Sequence, residues 1–514
     1  MARKFKPAVK ILLFVVFGAI LFGGYIAADK FGLIPEEGTQ SASNSNSGGD
    51  GGGESYSGDT DECIKVGVVT WGGYAGGQYF NRGFKPNSNS EYKKQYGICV
   101  EFKVLDDFNA SREAFKSDEV QLLWTTVDAF TTEASGLAQY KPKVIFQSDW
   151  SRGGDAIVAK GSIKSVQDLK GKKIAAAIGT PSSTMLIKVL DAGGLTMDDI
   201  TLVQVASAPD AALAFKARRV DAAVLWSPDD ADCIDKVKNS HILTSTKKAT
   251  HIIADGFIVK ENYLKNNRKK LTALVEGWLK GSSEINASDL AAREAAKILA
   301  DGLQMPEDYT YGAIKNVRLT TFGDNKNFFG LKSGYTGVTA EELWNDMTNR
   351  YQQLGWTTGR VPNWSVVFDA SILNAVNLPE SDVEASAEFS KATKKEVTQE
   401  AFSQKPIQIT FASGSYQVNM EAQELIEFEL VPTLKTFPNS RIRLEGNTDK
   451  TGSRSNNIRL SKKRAQSIAN YLSKHYGIDS DRFIIKGNGP DSPVCKQSTP
   501  SCYKQNRRTE MHVL

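Results

Sequence analysis

The chain contains 514 residues, of which 40% are hydrophobic and 24% are charged. This length is too great for a single hydrophobic core, so we expect about two to four domains. The 63 basic and 59 acidic residues leave a formal net charge of only +4, which excludes a general electrostatic attraction to nucleic acid. Any ligand must therefore be recognised at a local site.

The start of the chain combines basic residues with an apolar stretch. Arg3, Lys4, Lys6 and Lys10 precede residues 11–28, which carry no charge. This stretch is long enough to cross a bilayer and longer than the apolar part of a typical signal peptide. Because basic flanks stay in the cytoplasm, the first 30 residues are predicted to form an N-terminal transmembrane helix with a cytoplasmic stub. This signal anchor would hold the rest of the chain in the periplasm, and a cleaved signal peptide is the alternative.

Two polar segments divide the remaining chain. Residues 31–61 are rich in glycine and serine and almost lack apolar side chains, so they are predicted to form a disordered tether. Residues 377–404 are charged and interrupted by proline, and we interpret them as a second linker. These boundaries predict one domain at 62–376 and a smaller domain at 405–514.

The five cysteines fit an oxidising compartment. Cys495 and Cys502 flank a short loop and are predicted to form a local disulfide. Cys63 and Cys99 each precede an apolar run, so their sulfur atoms could meet if the two runs are neighbouring strands. Cys233 is then left as a free thiol on a helix.

Eight apolar runs alternate with helical periodicity in the first domain. They cover residues 65–71, 99–106, 121–127, 141–147, 155–160, 172–179, 200–206 and 221–226. Such alternation is typical of an α/β fold with largely parallel sheets. Ligands of open α/β sheets bind at the carboxyl ends of strands, where this sequence places residues such as Trp71 and Trp226.

Residues 177–195 combine the end of a strand with the start of a helix. Ser182 or Ser183 is predicted to cap this helix, which ends at a Gly-Gly pair. A helix N-terminus with free N–H groups and hydroxyls suits an anion such as a carboxylate, sulfonate, phosphate or nitrate. The alternative is that the serines only cap their own helix.

Residues 162–228 contain "DLKGK", this serine-rich helix start, "GL" followed by "DI", and "VDAAVLWSP". In these features the segment resembles the second lobe of periplasmic solute-binding proteins of the nitrate/sulfonate/taurine group of ABC importers. The resemblance implies a two-lobed α/β fold closing on a solute. The first lobe would comprise about 62–155 and 256–376, and the second lobe about 156–255.

The same resemblance implies the solute-binding residues. They are Trp71 and Trp226 as walls, Thr125, Ser182 and Ser183 as hydrogen-bonding groups, and Asp155 as the partner of a cationic group or of a neighbouring side chain. Arg152 is a further candidate for pairing with an anion. Core packing is the alternative for each tryptophan.

The pattern changes after residue 405. Apolar runs and helical periodicity predict a small α+β domain in the order β-α-β-α-β-β, with its first strand at 407–413. Asp449 follows the second strand, and Asn457, Ser461 and Arg464 share one face of the next helix. An aspartate beside an arginine can hold the ammonium and the carboxylate of a zwitterion. A salt bridge that only ties the loop to the helix is the alternative.

Residues 405–514 resemble the OmpA-like peptidoglycan-binding domain. The motif residues are Gly446 to Asp449, Gly452, Asn457, Leu460, Ser461, Arg464 and Ala465, followed by Asn506, Arg507, Arg508 and Glu510. The resemblance implies that Asp449 and Arg464 bind the diaminopimelate of a peptidoglycan stem peptide. Gly446, Thr448 and Asn457 would complete the pocket. Asn447 stands where the family usually has histidine.

The sequence therefore predicts a non-enzymatic envelope protein with no cofactor and no metal. It would capture a small anionic or zwitterionic solute, bind peptidoglycan, and deliver the solute to an ABC permease, which is the family default. A structural or sensory tether without a transported ligand is one alternative. An enzyme is another, because one relative of the binding fold makes a pyrimidine from a pyridoxal cofactor and its own histidine.

Overall fold

The computed structural model describes residues 62–409, 411 and 414–514. Fifteen strands form three sheets in this part of the chain. Strands β1 to β15 are Ile64–Val68, Val100–Val104, Leu122–Thr126, Pro142–Ser151, Asp155–Lys160, Lys173–Ala177, Thr201–Val205, Ala222–Trp226, Ser240–Ser245, Ala254–Lys260, Val317–Leu319, Ser403–Ile407, Ile442–Asn447, Phe483–Gly489 and Thr509–Val513. The sheet orders are β11-β4-β10-β3-β1-β2, β7-β6-β8-β5-β9 and β12-β15-β13-β14. We call the parts built on these sheets the first lobe, the second lobe and the C-terminal domain.

Helices cover the faces of all three sheets. The α-helices are Ala75–Phe80, Phe108–Lys116, Pro181–Ala192, Ala208–Lys216, Asp229–Lys236, Glu261–Asn266, Arg268–Ala287, Asp289–Leu303, Glu307–Lys315, Phe322–Phe328, Ala340–Gln353, Trp364–Val367, Lys394–Thr398, Met420–Glu429, Val431–Thr436, Arg454–Tyr476 and Pro500–Asn506. The first-lobe core is built around large buried side chains, including Trp278 and Trp344.

All eight predicted runs are strands, but the sheets are mixed, so the prediction of largely parallel sheets is wrong. Strand β1 pairs in parallel with β2 and β3, whereas β10 pairs antiparallel with β3 and β4. In the second lobe, β5 pairs antiparallel with β8 and β9. The antiparallel strands β5 and β10 are those that follow the two passages between the lobes: the chain runs from β4 into β5 and from β9 into β10 without an intervening helix, and each time it enters the other sheet.

The C-terminal domain follows the predicted order with three differences. Its first strand is Ser403–Ile407 rather than 407–413. Lys405 and Pro406 interrupt the apolar pattern of this segment, so the sequence does not indicate a strand here. Proline is tolerated because β12 lies at the edge of the sheet. The predicted first helix is two helices, since Pro432 begins a new one. A further helix, Pro500–Asn506, follows the loop after β14.

The C-terminal domain packs directly on the second lobe. One hydrophobic cluster contains buried residues of both, including Leu190 and Phe402. The Ser403 hydroxyl donates to the Ala192 carbonyl at 2.6 Å, and the Lys405 ammonium pairs with Asp191 at 3.1 Å. The end of the predicted linker therefore joins the two domains through a shared core.

The predicted disulfide Cys495–Cys502 is present, and Cys63 also bonds Cys99, because the runs that follow them are the neighbouring strands β1 and β2. The Cα atoms are 4.5 Å apart in Cys63–Cys99 and 5.2 Å apart in Cys495–Cys502. Cys233 is a buried free thiol on the helix Asp229–Lys236, as predicted, and burial raises its pKa to about 11.

The predicted anchor at residues 11–28 and the tether at 31–61 lie outside the described residues. Among the residues that are described, we find no helix with the length and apolar character needed to span a membrane.

Candidate functional site

In the C-terminal domain, Asp449 lies in the loop after β13 and is 8% exposed. Arg507 donates to its carboxylate at 2.6 Å, and the backbone N–H of Thr451 donates at 2.8 Å. Burial opposes ionisation of Asp449, but the hydrogen bonds from Arg507 and Thr451 outweigh burial and hold the pKa below its usual range. Asp449 is therefore a fixed negative charge at neutral pH.

Arg464 lies on the buried face of the helix Arg454–Tyr476, together with Asn457 and Ser461. Its Nε donates to the carbonyl of Ser415 at 3.0 Å. Burial lowers the pKa of Arg464, the neighbouring Arg507 lowers it further, and Asp449 raises it. One carboxylate and two guanidinium groups are therefore close enough to influence one another's charge, and Arg507 contacts Asp449 directly.

Close backbone packing fixes this pocket. A Cβ atom on Gly446 would lie 2.2 Å from the carbonyl oxygen of Ser461, so only glycine lets β13 approach the helix this closely. Asn457 holds the loop by donating to the carbonyl of Thr451 at 2.9 Å. The Thr448 backbone N–H donates to the carbonyl of Gly489 at 2.8 Å.

The structure explains two features of the sequence motif. Asn447, at the usual histidine position, is 2% exposed; it donates to the Glu445 carbonyl at 3.3 Å and accepts from Asn488 at 3.1 Å. It therefore supports the sheet. Arg507 is a functional candidate that sequence reasoning did not assign, although it stands in the motif "NRR", because its contact with Asp449 depends on the fold.

A second candidate site lies between the lobes. Trp71 follows β1, and its indole N–H donates to the Asp149 carboxylate at 3.2 Å. The ring lies against Gly154, where a Cβ atom would come within 2.0 Å of it. Asp155 begins β5 directly opposite Trp226 at the end of β8, and it accepts a hydrogen bond from Ser151 at 2.7 Å.

The predicted anion site at the start of the helix Pro181–Ala192 contains a carboxylate of the protein. Thr180, not Ser182 or Ser183, is the N-cap, because its side chain accepts the Ser182 N–H. The Thr184 hydroxyl donates to Asp128 at 2.7 Å. The hydroxyl of Tyr351 lies 3.0 Å from that of Ser183 and 2.6 Å from that of Thr184. These side chains fill the space beside the helix N-terminus.

Two of the predicted solute-binding hydroxyls have no hydrogen-bond partner. Thr125 is 1% exposed and Ser182 is fully buried, and neither hydroxyl is paired with any group in the described part of the chain. Arg152, the predicted anion partner, is engaged: its Nε donates to Glu384 at 3.2 Å, and its Nη2 approaches the same carboxylate at 2.5 Å.

Four buried aspartates converge where the lobes meet: Asp128, Asp149, Asp155 and Asp255. Burial raises the pKa of Asp128 to about 6 and the pKa values of Asp149 and Asp155 to about 7. It also raises the pKa of Asp255, and the nearby Asp149 adds to this effect. Asp255 accepts a hydrogen bond from Tyr74 at 2.7 Å. Sequence reasoning identified only Asp155 of these four.

A narrow cavity adjoins this cluster. Its polar and aromatic lining consists of Thr70, Trp71, Ser227, Tyr309, Thr310 and Asn316, and the remaining lining residues are aliphatic or glycine. Its volume is about 10 Å³, which is roughly that needed by one water molecule.

A third cluster, Glu445, Glu510 and His512, has ligand atoms within 4.8 Å of one another. Arg443 donates to Glu445 at 2.6 Å and Arg508 donates to Glu510 at 2.7 Å. Because each carboxylate is already neutralised by an arginine, we interpret this cluster as a network that stabilises the sheet.

Comparison with known proteins supports two modules. Residues 154–289 match the family described as NMT1/THI5 like, and residues 410–507 match the OmpA family. These matches confirm the predicted fusion of a solute-binding-type module with a C-terminal OmpA-like domain.

Individual relatives match the C-terminal domain. The probable lipoprotein YiaD of Escherichia coli is 34% identical over 106 residues, which is 21% of this chain and 48% of the relative. The peptidoglycan-binding protein ArfA of Mycobacterium tuberculosis is 39% identical over 80 residues, 16% of this chain and 24% of the relative. The chain thus spans about half or less of the length of these relatives.

Among solved structures, the periplasmic aliphatic sulphonate binding protein SsuA of Escherichia coli matches with a TM-score of 0.47 and 15% identity. The match covers 65% of this chain and 98% of that protein.

Proposed function

We propose that this protein is a non-enzymatic component of the cell envelope that binds peptidoglycan through Asp449 and Arg464. The observation that carries this function is the buried Asp449 carboxylate and the buried Arg464 guanidinium, which are close enough for Asp449 to raise the pKa of Arg464. The side-chain end of diaminopimelate offers an ammonium and a carboxylate, so it complements both groups. Arg507 would hold Asp449 in place or bind a second carboxylate.

Binding to purified cell walls tests this proposal. Asp449→Asn and Arg464→Gln should each abolish co-sedimentation of the full-length chain with walls that contain diaminopimelate. Arg459→Gln is the matched control, because Arg459 is an exposed residue of the same helix and donates to the side chain of Asn456 at 2.8 Å. Walls with lysine in place of diaminopimelate lack the second carboxylate and should bind more weakly. Equal binding by all three variants would refute the assignment.

We further propose that the two lobes capture a small solute. The polar and aromatic groups at the strand ends, including Trp71, Asp155 and Trp226, support this role. Residues 11–28 would anchor the chain in the inner membrane, and an ABC permease would receive the solute. Membrane fractionation of the full-length chain and of a chain lacking residues 1–30 tests the anchor.

The small cavity favours a second candidate function, a tether between membrane and wall without a transported ligand. A volume of about 10 Å³ leaves no room for a solute unless the lobes separate. Saturable thermal stabilisation by a small molecule would exclude the tether as the sole role, and its absence across ligand classes would favour it.

A further inference from the structure

Carboxylates bond several of the residues that line the interlobe cavity. Thr70 donates to Asp106 through its backbone N–H at 2.7 Å and through its hydroxyl at 2.9 Å. The Ser227 hydroxyl donates to Asp230 at 3.1 Å. Together with the bond from Trp71 to Asp149, three lining residues of the cavity are thus held by carboxylates.

Two arginines near the cleft are already paired. Arg152 binds Glu384, and Arg112 donates to both oxygens of Glu133 at 2.8 and 2.7 Å. The buried aspartates are instead satisfied by uncharged donors: Asp149 by Trp71 and Ser148, and Asp255 by Tyr74. A buried carboxylate without a directly bonded cationic partner is costly, so a bound cation would stabilise this cluster.

The unpartnered hydroxyls supply an independent observation. Ser182 lies in the same helical turn as Thr184, which donates to Asp128. A fully buried hydroxyl that finds no protein partner is rare and is expected where a ligand or water completes its bonds.

The arrangement does not fit a single metal ion. Among the described residues, only Glu445, Glu510 and His512 bring three ligand atoms within 4.8 Å of one another, and that group lies in the C-terminal domain. The cleft carboxylates are therefore too dispersed to share one ion. The rings of Trp71 and Tyr309 on the cavity wall suit a cation above an aromatic face.

We propose that the interlobe cleft binds a small organic cation with a protonated amine, which Asp149 and Asp155 neutralise and Trp71 contacts through its ring. This inference rests on the proposed solute capture and specifies its chemical class, reversing the anionic preference expected from the sequence. Because the cavity holds about one water, the lobes open to admit the ligand and close around it.

Thermal unfolding and calorimetric titration of the full-length chain at pH 7.5 test the proposal. The probes are putrescine, ethanolamine, choline, ethanesulfonate, nitrate and calcium chloride. We expect saturable stabilisation by putrescine or ethanolamine, weakened at least tenfold in Asp155→Asn. Asp221→Asn is the control, because Asp221 lies in the second lobe and pairs with Lys160 at 2.8 Å. Binding of an amine should also change tryptophan emission in the unaltered chain, which keeps the test valid if Asp155→Asn does not fold.

The outcomes separate the two proposals. Saturable binding of ethanesulfonate or nitrate without amine binding would overturn the cation assignment and retain solute capture. Stabilisation by calcium alone would overturn the organic-cation assignment in favour of a metal site. Stabilisation by choline alone would show that the cation need not be a protonated amine, and would overturn that part of the proposal. No binding by any probe would overturn solute capture and the cation assignment together.

Discussion

Replacing Asp155 by asparagine should stabilise the protein at alkaline pH. Asp155 is 3% exposed, and burial raises its pKa from the ordinary 3.8 to about 7; Asp128, Asp149 and Asp230 add to the effect. The folded state therefore keeps a proton that the unfolded state loses between pH 4 and 7. Stability contributed by this group falls across that interval as pH rises, and the full penalty is present above pH 7.

The expected magnitude follows from the size of the pKa change. A change from 3.8 to about 7 corresponds to about 4 kcal/mol, as an upper limit, because each tenfold change in proton affinity is worth about 1.4 kcal/mol. Asparagine is isosteric and can still accept the hydrogen bond from Ser151. In the absence of ligand, Asp155→Asn should thus raise the free energy of unfolding by about 2 to 4 kcal/mol at pH 9 and change it little at pH 4.

Differential scanning calorimetry of the full-length chain between pH 4 and 9 measures this effect. Asp221→Asn serves as a control of opposite sign. Burial opposes ionisation of Asp221, but Lys160 and a backbone N–H outweigh it and lower the pKa. That variant should lose stability above pH 4. If Asp155→Asn instead destabilised the protein equally at every pH, Asp155 would not be a carboxyl group with a raised pKa, and the argument would fail.

Three other substitutions test the packing. Gly446→Ala forces a Cβ against the Ser461 carbonyl and should cost the C-terminal domain about 3 kcal/mol, seen as a lower unfolding temperature. Cys495→Ser opens a short loop and should lower the free energy of unfolding by about 2 kcal/mol relative to the unaltered chain in non-reducing buffer. In reducing buffer, the variant and the unaltered chain should be equally stable. Lys405→Met removes the ion pair to Asp191 at the domain junction; it should cost about 1 to 2 kcal/mol and split one calorimetric transition into two.

The fold was predictable wherever hydrophobic patterning is local. The eight long apolar runs of the first domain all became strands. Strand β11 has only three residues, and β9 reads as a mixed polar run, so neither produces a clear periodicity. Their pairing is decided by distant neighbours, as is the antiparallel direction of β10, which no local pattern encodes.

The two candidate sites also differ in whether the local sequence identifies their residues. Asp449 and Arg464 lie on one loop and the helix that follows it, so their spacing and a strong motif identified them. The interlobe aspartates come from separate strand ends, and Asp128 and Asp255 look like ordinary polar residues in the sequence. Their burial and their shared negative field arise only after the lobes assemble.

The contact between the second lobe and the C-terminal domain changes how solute capture would operate. In a two-lobed binding protein, the lobes move relative to each other as the cleft opens. Here the second lobe shares a hydrophobic core with the C-terminal domain. In addition, Arg152, which lies where the chain crosses between the lobes, donates to Glu384 in the segment that leads to the C-terminal domain. With the C-terminal domain bound to the wall, the second lobe would be fixed. The first lobe would move once the 2.8 Å ion pair between Lys435 of the C-terminal domain and Glu342 of the first lobe opens. Loading of the cleft would then be signalled by a displacement of the first lobe at a fixed position in the envelope, instead of by diffusion of the whole protein.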